Sequence, residues 1–198
     1  MKTILFILLD NFADWEAAFL ASALRGGVMP GHTGRYEIAY ATPGGYPVRS
    51  IGGLTVAPDR STEAGLPDEC AGIVLVGGMN WRTPEAATAE PLAREALTRG
   101  LLLGAICNAT AFLAAHELLN EARHTGNTVE ILQQWGGDRY TGSTHYEERQ
   151  AVRDGNLVTA NGTGYLEFTR ECLLALAADT PEAIDTSYRF NKQGFYNE

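Results

Sequence analysis

Three short runs of uninterrupted apolar residues constrain the fold most: "KTILFILL" (residues 2–9), "AGIVLVGG" (71–78) and "GLLLGAI" (100–106). None alternates with polar residues, so each reads as a strand buried on both faces. Such strands need helices on both sides, and the segments between them supply helical periodicity. "DWEAAFLASALRGG" (14–27) repeats apolar residues at Trp15, Phe19 and Ala23 and stops on a glycine pair. Helices are also predicted over 83–97, 108–120, 126–135, 164–179 and 180–190. In the first of these, Thr83 is placed as N-cap and Pro84 at the first position, while Pro91 predicts a kink or two pieces. "YEIAYAT" (36–42) reads as a further strand, and 47–59 as a hairpin turning on Gly52 and Gly53. Two strands are expected within 144–162, around the Asp154–Gly155 turn. The class is therefore α/β, with a mostly parallel sheet covered on both faces.

A chain of 198 residues predicts one domain spanning 1–198. The formal net charge of −9 argues against a nucleic-acid footprint and against anionic membrane surfaces. No apolar run approaches the ~20 residues of a membrane span. The first run could be taken for a signal peptide, but it is stopped by Asp10 with no small-residue cleavage site behind it. Cys70, Cys107 and Cys172 are too far apart for a disulfide framework or a C-x-x-C metal pattern, which fits a reducing cytoplasm. No metal site is expected, and no cofactor, because the glycine pairs lack the G-x-G-x-x-G dinucleotide fingerprint.

In covered parallel sheets, ligands bind at the carboxyl ends of the strands. That rule selects Asp10 to Glu16, Gly77 to Trp81 and Cys107, and sets them on one edge. Cys107 lies where a strand runs directly into a helix. A nucleophile there is pushed out of the sheet edge and meets the free N–H groups and the dipole of the helix N-terminus, which stabilise a thiolate. Ala105 and Ala109 flank it at i−2 and i+2, as a tight elbow demands. The alternative is a buried core cysteine, the reading that suits Cys70 and Cys172. Glu16, in the first turn of its helix, is either a solvated carboxylate or a carboxyl facing the thiol. As a facing acid it is expected to hold the thiol pKa well below the ordinary ~8.5. Gly77 and Gly78 form either a tight turn or an oxyanion hole, with the Asn108 N–H as the second donor.

Taken together, "ILLDNFADWE", "VLVGGMNW", "GAICNATAFLAAHELL", "RHTGNTVEIL" and "LVTANGTGYLEFTRECLLAL" resemble, in order and spacing, the ThiJ/PfpI family of the class I glutamine-amidotransferase-like superfamily. The likeness runs from about Lys2 to Ala178 and implies a flavodoxin-like three-layer sandwich with a cysteine elbow. It places the nucleophile on Cys107, its acidic partner on Glu16 and the oxyanion glycines on Gly77 and Gly78. The histidine departs from the pattern. One branch of the family carries it directly after the cysteine, where this chain has Asn108. Another places it about twenty residues later, a register that falls on Asn127, with His124 three residues earlier. An asparagine cannot accept a proton at neutral pH. His116 is about 14 Å along the helix from the cysteine, too far to touch it. His145, in a predicted strand, is a possible contributor, and His32 sits in an exposed Gly-Pro loop.

The resemblance implies a cysteine-dependent enzyme acting on a small molecule or peptide, by hydrolase or amidase chemistry or by glyoxalase-type conversion of a 2-oxoaldehyde. A different class remains open: an oxidative-stress protein whose Cys107 is reversibly oxidised. A binding module with a dormant site is the third. Family members are usually dimeric or larger, so a homodimer or higher homo-oligomer is expected.

Overall fold

The computed structural model describes residues 1–196; the last two residues of the predicted 1–198 domain lie outside it. The apolar runs become the centre of a seven-stranded sheet. In chain order its strands are β1 (Lys2–Ile7), β2 (Tyr36–Thr42), β5 (Arg60–Ser61), β6 (Cys70–Leu75), β7 (Leu102–Ile106), β8 (Ala151–Asp154) and β9 (Leu157–Ala160). The spatial order is β5-β2-β1-β6-β7-β9-β8. Every pairing is parallel except that of β8 with β9. The short strands β3 (Val48–Arg49) and β4 (Thr55–Val56) pair antiparallel as the predicted hairpin.

The missing alternation in the first run has a direct structural meaning. Leu5, Ile7 and Leu9 enter a core beneath α2 (Ala89–Thr98), α3 (Asn108–Ala115) and α4 (Val129–Gly136). Ile4, Phe6 and Leu8 enter a second core beneath α1 (Asp14–Gly26), α5 (Tyr165–Ala175) and α6 (Pro181–Gln193). The result is a three-layer, flavodoxin-like sandwich. Among the described residues, no helix is long and apolar enough to cross a membrane.

Several local expectations shift. The 83–97 segment does divide into two pieces, a 3-10 turn (Pro84–Thr88) with Thr83 as its N-cap and α2, but the division precedes Pro91, which sits in the first turn of α2. The 108–120 helix ends early, at Ala115, because Glu117 adopts φ 64°. The β8–β9 turn is Gly155–Asn156, one residue later than expected, with Gly155 supplying φ 59°. His145 is not in a strand but in a 3-10 turn, Gly142–His145. The stripe of α1 is rotated: Trp15 and Phe19 are exposed, and Glu16, Leu20 and Leu24 are buried instead.

The strand order reverses between β1 and β6, which continue the chain to opposite sides of the sheet. A crevice opens at the carboxyl ends of strands at such a switch point. The segments after β1, β6 and β7 all reach it.

Candidate active site

Cys107 occupies the junction of β7 and α3 at φ 60°, ψ −130°. A non-glycine residue in this region costs about 1–3 kcal/mol, so its surroundings must hold it. Its N–H donates to the Ala160 carbonyl of β9 at 2.9 Å. Its carbonyl accepts from the Thr110 N–H at 3.1 Å and from the Thr110 hydroxyl at 2.7 Å. Ala105 and Ala109 are fully buried on either side, where larger side chains would have no room. The side chain is thereby turned out of the core at the mouth of the sheet, and it is half-buried.

Two glycines bring the sulfur and the Glu16 carboxyl together. A Cβ at Gly162 would lie 3.0 Å from the Cys107 Sγ and 3.2 Å from the Glu16 Oε1, so both side chains converge on that bare backbone. A Cβ at Gly77 would collide with the Glu16 Oε2 and lie 2.5 Å from the Cys107 Cβ. Gly162 was not among the residues selected from the sequence. The signal for it was present, since it follows β9 at the same sheet edge that selected the others. Trp15, one of the apolar repeat positions of α1, reaches over this edge, its indole N–H 3.5 Å from the Gly162 carbonyl.

Glu16 is 2% exposed, and its Oε2 has no hydrogen-bond partner. Burial pushes its pKa up to about 7, while contacts with the Cys107 thiol and the Gly77 N–H offset part of the rise. With the Gly77 backbone packed directly against the Glu16 carboxyl, the Gly78 and Asn108 N–H groups are the candidate oxyanion donors. The expectation of a strongly depressed thiol pKa does not hold. Burial raises it first and the neighbouring Glu16 charge raises it further; donation from the Asn127 side chain and the Asn108 N–H pulls it back. Desolvation of two acidic groups at one point outweighs the helix N-terminus, and the ionisation of each group depends on the charge of the other.

Asn127 lies on the sulfur. Its Nδ2 is 3.4 Å from the Cys107 Sγ and 3.3 Å from the Asn108 Oδ1, and its Oδ1 accepts from the Gly162 N–H at 2.9 Å. The Asn108 side chain in turn donates to the Gly78 carbonyl at 2.9 Å. The histidines are placed elsewhere. His124 is fully buried, its Nδ1 2.7 Å from the Ala122 carbonyl and its Nε2 2.6 Å from the Tyr140 hydroxyl. A carbonyl cannot donate, so Nδ1 carries the proton and Nε2 accepts from Tyr140. Burial keeps the ring neutral. His145 is exposed, and its carbonyl accepts the His124 N–H. His116 caps α3, 3.3 Å from Glu90, and His32 pairs with Asp179. The site thus gathers Cys107, Glu16, Gly77, Gly78, Asn108, Asn127 and Gly162 but neither His124 nor His145. Among the described residues, no cluster of three or more His, Cys, Asp or Glu side chains is arranged to hold a metal.

The fold that carries this site is shared with known proteins. Residues 2–175 match the DJ-1/PfpI family. The chain belongs to that family. A Bacillus subtilis relative named as the uncharacterized protease YdeA is 38% identical over 199 residues, covering 100% of this chain and 94% of its own. The crystal structure of the DJ-1 superfamily protein Atu0886 from Agrobacterium tumefaciens superposes with a TM-score of 0.86 at 36% identity. That match covers 98% of this chain and 99% of the other. A thiJ/pfpI family protein from Bacillus anthracis gives a TM-score of 0.87 at 30% identity, covering 97% and 92% of the two chains.

Proposed function

We propose that the protein is a cysteine-dependent enzyme acting on a small carbonyl substrate, with glyoxalase-type conversion of a 2-oxoaldehyde to a 2-hydroxy acid as its reaction. The observation that carries this reading is the convergence of the Cys107 sulfur on a buried carboxyl whose pKa, about 7, suits proton transfer in both directions at neutral pH. The Glu16 carboxylate takes the thiol proton. The thiolate adds to the aldehyde carbon, a C–S bond forms, and the carbonyl electrons move to oxygen, which the Gly78 and Asn108 N–H groups stabilise and a proton neutralises. Glu16 then moves the proton from this carbon to the adjacent carbonyl carbon through an enediol. The resulting thioester is hydrolysed by water, releasing the hydroxy acid and restoring the thiol. The sequence consumes one water and needs no external oxidant. Hydrolysis of an amide or peptide, the activity suggested by the name of the Bacillus subtilis relative, is the coarser alternative on the same nucleophile. It is disfavoured by the lack of a histidine at the sulfur to protonate a leaving amine.

The test is incubation with methylglyoxal and assay of lactate, for the wild type and Cys107→Ala. Lactate from the wild type alone is the expected result. Equal lactate from both would end the enzymatic reading.

One observation favours a redox role beside it: of the three cysteines, Cys107 is half-buried and Cys70 and Cys172 are buried. In that reading the thiolate attacks a peroxide oxygen, an S–O bond forms, the O–O bond breaks and water leaves after protonation, giving a sulfenic acid. Mass spectrometry after mild hydrogen peroxide treatment checks it, and modification of Cys70 or Cys172 ahead of Cys107 would count against it.

A further inference from the structure

We propose that Asn127 is the residue that holds Cys107 in its reactive state, as an orientation-locked amide donor to the sulfur that cannot compete with Glu16 for the proton. The inference rests on Cys107 being the nucleophile, and it assigns the third position at the sulfur. Its basis is the chain of hydrogen bonds across four segments at the sheet edge. The Gly162 N–H, which can only donate, is 2.9 Å from the Asn127 Oδ1, and this fixes which end of the amide is oxygen. The NH2 group is thereby turned toward the Cys107 Sγ at 3.4 Å and the Asn108 Oδ1 at 3.3 Å. The Asn108 amide is locked in the same sense, because its Nδ2 donates to the Gly78 carbonyl. Two backbone groups thus set the orientation of the two carboxamides, and both N–H bonds of Asn127 have acceptors.

The locked amide changes the chemistry. An imidazole at this position would be a second proton acceptor on the sulfur and would add a second ionisation. An amide supplies a donor at every pH. Its neighbours leave it without competition. Of the elements packed around the sulfur, α1 contributes the Glu16 carboxyl. The Gly77–Gly78 turn, the start of α3 and the Gly162 loop contribute backbone and the neutral Asn108 side chain. Among the described residues, Glu16 is the charged group that acts most strongly on Cys107. A fixed donor lowers the energy of the thiolate relative to the thiol, and it leaves the proton to shuttle between sulfur and Glu16 alone.

The experiment titrates the thiolate directly by its absorbance near 240 nm, with the Cys107→Ala spectrum subtracted, on the full chain with Asn127→Ala, Asn127→Ser and Asn127→His. This readout needs no turnover, so it stands whether or not methylglyoxal is a substrate. In Asn127→Ala the midpoint for Cys107 rises by about one pH unit, a tenfold loss of thiolate on the alkaline side of neutrality. Asn127→Ser keeps a shorter donor and falls between that variant and the wild type. Asn127→His adds a second step near the imidazole range, about pH 6–7. An unshifted midpoint in both Asn127→Ala and Asn127→Ser overturns the proposal. Equal shifts in the two overturn it as well, since they would mean that the loop, and not the donor, sets the thiol. Should Asn127→Ala fail to fold, the serine and histidine variants decide between the same outcomes.

Discussion

Cys107 and Cys172 border the same apolar cluster beneath α1, α5 and α6, and burial pushes both thiols upward. Their remaining surroundings differ. Cys172 lies within α5, fully buried against Phe168, with its sulfur packed toward Gly104. Cys107 lies at a strand's carboxyl end, with strained backbone, two N–H donors and a carboxyl in reach. Desolvation therefore does not separate Cys172 from the proposed nucleophile Cys107. What separates them is a position where the chain turns, so that bare backbone and side chains from other strand ends can gather round one sulfur. The largest effect expected from this contrast is in alkylation. In the native protein, iodoacetamide should label Cys107 at least ~10³-fold faster than Cys172, which can react only through opening of the fold. Peptide mapping after timed labelling measures the ratio, and comparable rates at the two sites would break the comparison.

The second contrast concerns the price of the functional end of the sheet. Glu16 rises from the ordinary carboxyl value of 4.5 to about 7 on folding. A group whose folded pKa is raised contributes its full stability below the unfolded value and loses it as pH climbs through the folded one. Glu16 should thus make the fold less stable between about pH 4.5 and pH 7, by about 3 kcal/mol in all. Glu16→Gln should flatten that decline in urea titrations across this range, and by removing the charge it should lower the Cys107 thiol midpoint even as it removes the base. A decline of equal size in Glu16→Gln would place the pH sensitivity elsewhere.

The fold was legible because the apolar runs have no alternation, and only a doubly covered sheet accommodates "KTILFILL" with Leu5 and Phe6 facing opposite cores. The gathering of Glu16, Gly77 and Cys107 at one edge followed from the strand-end rule. The rotation of α1 did not: Trp15 and Phe19 have the same spacing as a buried stripe, and periodicity alone does not say which face meets the sheet. Nor did the thiol's upward shift, since a helix N-terminus is visible in a sequence and the burial of its neighbour Glu16 is not. His124 illustrates the same limit. Three residues from Asn127, it looks equally available to the sulfur, yet Ala122 and Tyr140 occupy both its ring nitrogens.

The smallest effect tests the contrast with the mildest change, replacement of sulfur by oxygen at each site. In Cys172→Ser a hydroxyl enters an apolar interior. A serine within a helix can turn its hydroxyl back to the carbonyl four residues earlier, here that of Phe168, so the cost sits at the lower end of the range for a buried polar group, about 1 kcal/mol. In Cys107→Ser the hydroxyl meets partners already in place: the Asn127 amide can donate to it, and it can donate to the Glu16 carboxylate. Its cost should be below about 0.5 kcal/mol, since an acceptor and a donor replace what water supplies in the unfolded chain. Urea unfolding of the two variants at pH 7 reads the difference. A larger loss in Cys107→Ser than in Cys172→Ser would mean that the polar groups around Cys107 are set for sulfur alone and reject oxygen. The site would then be stiffer than a hydrogen-bonded cup open to substrate oxygen needs to be.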